Sequence, residues 1–140
     1  MDVSIRRATE ADADALFLLV KDFAVTFAPE RSAFESSLRE ILAHADANLS
    51  VAVLEGQVVG YCLGFDHYTF YANGRTSLVE EIMVREDLRK QGVGKQLIGC
   101  FEEWSASRGS KLVGLFTRRA APFYEAVGYE SSGTFFRRLL

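Results

Sequence analysis

Residues 78–104 read LVEEIMVREDLRKQGVGKQLIGCFEEW, and the reading of this stretch decides the rest. Residues 78–84 are an apolar, β-prone run that predicts a strand. From Leu97 the apolar residues recur at Ile98, Phe101 and Trp104, one face of a helix. Between strand and helix stand Arg89, Lys90, Gln91, Gly92, Val93, Gly94 and Lys95. Glycine costs roughly 1 kcal/mol relative to alanine inside a helix, so two at its start need a reason. Without a Cβ, the first-turn amides lie open at the positive end of the helix dipole. Arg89, Lys90 and Lys95 flank them. This is a cradle for phosphate, and a diphosphate fits it better than a single anion.

Three kinds of phosphate binder carry glycines of this sort. A P-loop, G-x-x-x-x-G-K-[ST], would need glycine where Arg89 stands and a hydroxyl where Gln96 stands. A dinucleotide fingerprint, G-x-G-x-x-G, would need glycine at Leu97 and a βαβ unit opening on it. The third pattern is R-x-x-G-x-G from Arg89 to Gly94, after a strand ending in Ile82-Met83-Val84. It resembles the acyl-CoA pyrophosphate loop of the GNAT superfamily of N-acetyltransferases. A second segment, Ala120-Ala121-Pro122-Phe123-Tyr124-Glu125-Ala126-Val127-Gly128-Tyr129, is similar to that family's A-x-x-F-Y-x-x-x-G-F, with Tyr129 for the last Phe.

The flanking chain is consistent with one domain, residues 1–140. Hydrophobic content of 49% excludes disorder, and a net charge of −3 argues against a nucleic-acid binder. No apolar run reaches the ~20 residues that cross a bilayer, so no membrane partner is expected. The opening residues 1–12 lack the apolar core of a secretory leader. Cys62 and Cys100 lie in apolar segments, which suits reduced, buried thiols and a cytoplasmic protein. Residues 3–7 read as a strand. Thr9 reads as the cap of a helix running to before Pro29, striped by Leu16, Leu19, Val20, Phe23 and Phe27. Ser32 to Glu35 reads as a capping box opening a second helix. Residues 49–54 and 58–65 form a hairpin about Glu55-Gly56, and residues 111–117 and 134–140 are two further strands.

This β-α-α-β-β-β-α-β-α-β order is α/β in class, with a mixed sheet and helices on both faces. It resembles the GNAT fold over the whole chain. The resemblance implies a mostly antiparallel sheet of six to seven strands, about four helices, and two strands splayed around acetyl-CoA. Backbone groups at Ile82, Met83 and Val84 would meet the pantetheine and acetyl carbonyl. Amides from Lys90 through Gln91, Gly92, Val93 and Gly94 to Lys95, with the Arg89 and Lys95 side chains, would hold the pyrophosphate. Thr117 stands where many relatives have Asn, with shorter reach to the cofactor. Tyr124 matches the general acid, although Phe123-Tyr124 alone reads more readily as core aromatics on a short helix. Glu80 matches an acid that receives the amine in polyamine and aminoglycoside relatives, although by itself it reads equally as a solvated strand carboxylate, with Glu81 and His67 as lesser candidates for the base. By strand alternation Glu80 shares a face with Ile82 and Val84, while Glu81 points to the other.

Phe27, Glu30, Asp66, His67, Tyr68, Glu81 and Tyr129 are expected about the acceptor, with Phe70, Tyr71 and Phe135 nearby. Carboxylates beside aromatic rings suit a cationic amine. The expected reaction is acetyl transfer from acetyl-CoA, without metal, to a small amine of polyamine, amino-acid or aminoglycoside type. The alternatives are a protein lysine or N-terminal acetyltransferase, and a non-catalytic acyl-CoA sensor. Leu139-Leu140 permit a homodimer without showing one.

Overall fold

In the computed structural model, which describes residues 2–140, five strands form one sheet in the order β1-β2-β3-β4-β5. They are β1 (Val3–Arg7), β2 (Ala47–Leu54), β3 (Gln57–Thr69), β4 (Gly74–Val84) and β5 (Val113–Leu115). The first four run antiparallel, and β5 lies parallel to β4. A parallel neighbour requires a crossover, and α3 (Val93–Ser107) is that crossover. The remaining helices are α1 (Ala13–Phe23), α2 (Arg31–Ala43) and α4 (Ala121–Ala126). Among the described residues, no helix is long and apolar enough to cross a membrane.

The sheet has five strands where six to seven are expected, because residues 134–140 do not pair. Their pattern explains this. Phe135-Phe136, Arg137-Arg138 and Leu139-Leu140 come in like pairs, so no register buries one face and exposes the other. The segment is held by side chains instead. Phe135 stacks on Phe116 at 4.1 Å, and Arg137 donates to the Thr26 hydroxyl at 3.2 Å.

Two helix boundaries also differ. The segment after Thr9 begins as a single 3-10 turn, Glu10–Asp12, whose Asp12 carboxylate accepts the Thr9 amide at 2.8 Å and pairs with Arg6 at 2.9 Å. The helix then stops at Phe23, since Ala24 is extended and β-branched Val25 and Thr26 follow, so Phe27 lies in the connecting loop. At α2 the first helical residue is Arg31, with Glu30 at the cap, so the box expected at Ser32 does not form. Glu35 instead accepts from Arg31 one turn back, at 2.8 Å.

Each sheet face carries its own core. Leu16, Leu19 and Leu38 of α1 and α2 pack on Leu49, Val51, Tyr61 and Leu63. Val93, Leu97, Ile98 and Phe101 of α3, with Tyr124 of α4, pack on Ala52, Val59, Cys62 and Val79. The seat of α3 is Gly64. A Cβ there would stand 2.2 Å from the Phe101 ring, so only glycine lets the helix lie this close.

At the far end of the sheet, Asp66 is withdrawn from solvent and accepts from Arg75 at 2.7 Å and from Arg108. Asp46 accepts from the same two arginines. Arg75 lies over the Tyr68 ring at 4.3 Å and Arg108 over Trp104 at 4.9 Å. This clamp ties the C-terminus of α3 to β3 and β4. Asp66 is therefore engaged within the fold rather than facing an acceptor. Asp66→Ala leaves two guanidinium groups short of a partner and should cost about 3–5 kcal/mol of stability, read as a lowered urea midpoint. A loss below about 1 kcal/mol would reduce the clamp to an ordinary surface pair.

Candidate active site

The site begins where the sheet comes apart. β4 stays paired with β3 as far as Val84, but with β5 only from Ser77 to Val79, opposite Val113 to Leu115. From Glu80 onward the outer edge of β4 has no strand partner among the described residues. The same residue is a β-bulge, since Leu63 faces Glu81 and Gly64 faces Val79, leaving Glu80 as the extra residue. The bulge resets the alternation. Val79, Ile82 and Val84 pack toward α3, whereas Met83 packs toward α1 and α2 and Glu81 lines the space beneath them. Glu81 lies on the other side from Ile82 and Val84 as the sequence expects, whereas the bulge takes Glu80 out of the regular alternation. Glu80 stands exposed at the bulge, and uninterrupted alternation cannot foresee that extra residue.

On the α3 side, the loop before the helix has two residues of positive φ, Lys90 at 62° and Gly92 at 88°. Gly92 caps α3, and its carbonyl receives the first helical amide, Gln96, at 3.1 Å. The amides of Val93, Gly94 and Lys95 precede that bond and point out of the helix end. The Lys90 and Lys95 side chains are exposed beside them, while the Val93 side chain is buried, so only its backbone is available. Phe123 of α4 lies over Gly94, where a Cβ would meet the ring at 3.2 Å. Arg89 is turned the other way, its Nε donating to the Val84 carbonyl at 3.0 Å and its Nη2 approaching the Met83 sulfur at 3.6 Å. Gln91 reaches back to the Asp87 carbonyl at 3.4 Å. The Thr117 hydroxyl accepts the Ala120 amide at 3.0 Å and so shapes the turn that launches α4. These open amides and free lysines fit a diphosphate.

Tyr124 is buried on this side, with its ring against Phe123 at 5.0 Å and Tyr129 at 5.9 Å. Burial pushes its hydroxyl up to about 12, so it holds its proton at neutral pH. The Cys62 thiol, buried in the same cluster, is likewise pushed up to about 12 and is not a thiolate. Tyr129 donates to Glu102 at 2.7 Å and belongs to this core, away from the expected acceptor.

On the opposite face, a cavity of about 440 Å³ lies between the α1–α2 connection and the sheet. Phe27, Glu30, Phe34, Leu38, Tyr61 and Glu81 are among the residues lining it. Glu81 is half-buried and accepts from the Tyr61 hydroxyl at 2.8 Å. Burial raises the Glu81 carboxyl above the usual carboxylate range. The charge of Glu80 adds to this, and the Tyr61 hydrogen bond works against it. Of the expected acceptor residues, Phe27, Glu30 and Glu81 come together here. His67 and Tyr68 lie at the other end of β3, opposite Thr76 and Arg75. Tyr61 is the residue that sequence reading missed. Its only signal is a diagonal relation to Glu81 across β3 and β4, which exists once the register is known.

The chain matches the family described as acetyltransferase (GNAT) domain over residues 45–131. It is 28% identical to an aminoalkylphosphonate N-acetyltransferase of Salmonella typhimurium, over 97% of this chain and 90% of that protein. Among solved structures, a transcriptional regulator from Bacillus halodurans superposes with a TM-score of 0.89 at 24% identity, covering 99% of this chain and all of that one. An aminoglycoside N-acetyltransferase in complex with CoA superposes with a TM-score of 0.85 at 20% identity, covering 98% of this chain and 95% of that one. At these identities the structural likeness carries the fold alone.

The loop generates a test. A Cβ at Gly92 meets nothing within 4 Å, so Gly92→Ala acts only through its positive φ. Strain of about 1–2 kcal/mol should weaken acetyl-CoA binding roughly 5–30-fold by calorimetry. An unchanged Kd would remove the loop from the diphosphate site.

Proposed function

This chain belongs to the GNAT acetyltransferase family and is an acetyl-CoA-dependent N-acetyltransferase; we propose that its acceptor is the primary amine of a small molecule, acetylated by direct attack. The observation that carries this reading is the splay at Glu80. It leaves an open strand edge between the amide-lined loop and a cavity of small-molecule size that contains a carboxylate.

Acetyl-CoA, when bound, supplies an activated thioester. The chain's own residues then have separable tasks. The amides of Val93, Gly94 and Lys95, with the Lys90 and Lys95 side chains, bind the diphosphate. Tyr124, protonated at Oη because it is buried, is the proton donor for the departing thiolate. A primary amine with a pKa near ~10.4 arrives as ammonium and must lose a proton to attack. Glu81 receives it, since that carboxylate lines the cavity and its raised pKa makes it a stronger base. Tyr61 holds the carboxylate in place through its hydroxyl. Glu80, the base expected from the family pattern, stands beside it at the bulge and contributes its charge.

Two substitutions test these roles. Tyr124→Phe should lower kcat at least tenfold and leave acetyl-CoA Kd within about twofold; unchanged turnover would reject the acid role. Glu81→Gln should lower kcat/KM by roughly 10²–10⁴, with Glu80→Gln much milder. Because the Glu81 carboxyl is raised, wild-type kcat/KM should climb with pH through a limb lying above the usual ~4.3 of a glutamate. Glu81→Gln should abolish that limb, and a limb that survives assigns it to another group.

A further inference from the structure

Building on the small-amine reading above, we propose that the acceptor is an apolar primary monoamine, with its ammonium at Glu81 and an alkyl or arylalkyl body in the cavity beneath α1 and α2. The wall is mainly hydrocarbon, supplied by Leu16, Val20, Phe34, Leu38, Ile41 and Leu63. Its charged residues, among those described, are Glu30 and Glu81, and both are acidic. Glu30 is exposed at the α2 cap and Glu81 is half-buried, so one carboxylate waits inside and the other at the rim.

This chemistry discriminates among the acceptors that the family admits. An amino-phosphonate would bring its anion against two carboxylates with no cation in the wall. The adjacent cation, Arg31, is committed. It pairs with Asp14 at 2.7 Å and Glu35 at 2.8 Å, and its guanidinium lies over Phe17 at 5.4 Å. Arg137 touches Thr26 on the connecting loop and is not part of the wall. A polyhydroxylated aminosugar would place many donors and acceptors against hydrocarbon, where each unpaired group is penalised. A polyamine would carry further ammonium groups into the apolar part of the cavity, where burying a charge without a partner is costly. An alkyl or phenylalkyl chain meets none of these penalties, and burying it against the wall is favourable.

The test follows thiol release at saturating acetyl-CoA. The amines are propylamine, butylamine, hexylamine and 2-phenylethylamine, set against spermidine, 2-aminoethylphosphonate, kanamycin and a lysine peptide. Each methylene from propyl to hexyl should raise kcat/KM about fourfold. The polar acceptors should fall at least ~100-fold below hexylamine, the cost expected of misplaced polar groups. Ala33→Phe, at an exposed position of the wall on α2, should lower the hexylamine-to-propylamine ratio about tenfold or more by filling the space. Flat dependence on chain length, or preference for the phosphonate, kanamycin, spermidine or the peptide, would overturn the apolar-amine proposal and leave the acetyltransferase activity standing. Absence of thiol release with every amine, from protein that binds acetyl-CoA, would overturn the small-amine reading and this proposal with it.

Discussion

An unpaired stretch of backbone organises this molecule. Amide and carbonyl groups withdrawn from water need partners, and a sheet ordinarily supplies them. Here β5 leaves β4 after Leu115, so β4 keeps only its β3 partner for the rest of its length. Such an edge persists because its inner side is paired with β3 on either side of the bulge, and Ile82, Val84 and Met83 pack into the two cores. The bulge at Glu80 falls at the point of departure, and bulges bend a strand and re-aim its side chains. Separation of the strands and redirection of the carboxylates thus occur at one place.

The helix above the gap depends on close approach. Phe101 rests on Gly64, and a side chain at that position would lift α3 and carry its N-terminus away from the end of β4. The charged clamp of Asp46, Asp66, Arg75 and Arg108 secures the opposite end of the same helix. The Gly92 loop is therefore positioned by contacts distributed along the whole of α3. Its open amides are a local property of a helix start, but where they point is a property of the packing.

The proposed acid and base lie on opposite faces of the sheet. Tyr124 belongs to the α3–α4 core and Glu81 to the α1–α2 side, with β4 between them. Burial acts on both in the same sense, disfavouring the charged form. For the tyrosine it preserves a proton to give. For the glutamate it raises the carboxyl, as the proposed base requires, and the Tyr61 hydroxyl tempers that effect by stabilising the carboxylate.

The loop, the α3 stripe, the Phe123-Tyr124 segment and the order of the first four strands were legible in the chain, since each rests on local spacing, turn residues or helix periodicity. So were the family and its fold class. The absent sixth strand follows from the like-paired residues 135–140, which favour extended backbone without specifying a register. Asp66 and Tyr129 read as acceptor groups because a carboxylate or a phenol has the same appearance whether it faces a ligand or a partner. Arg75, Arg108 and Glu102 are distant in sequence, so only the folded arrangement could decide between those uses. The choice between Glu80 and Glu81 shows the boundary most clearly. Strand alternation has a period of two, and the extra residue breaks it at Glu80, while Glu81, Ile82, Met83 and Val84 keep the alternation expected of them. The extra residue is set by pairing with β3, so the place of Glu80 is decided by tertiary structure, whereas the glycine-bearing loop is written in consecutive residues.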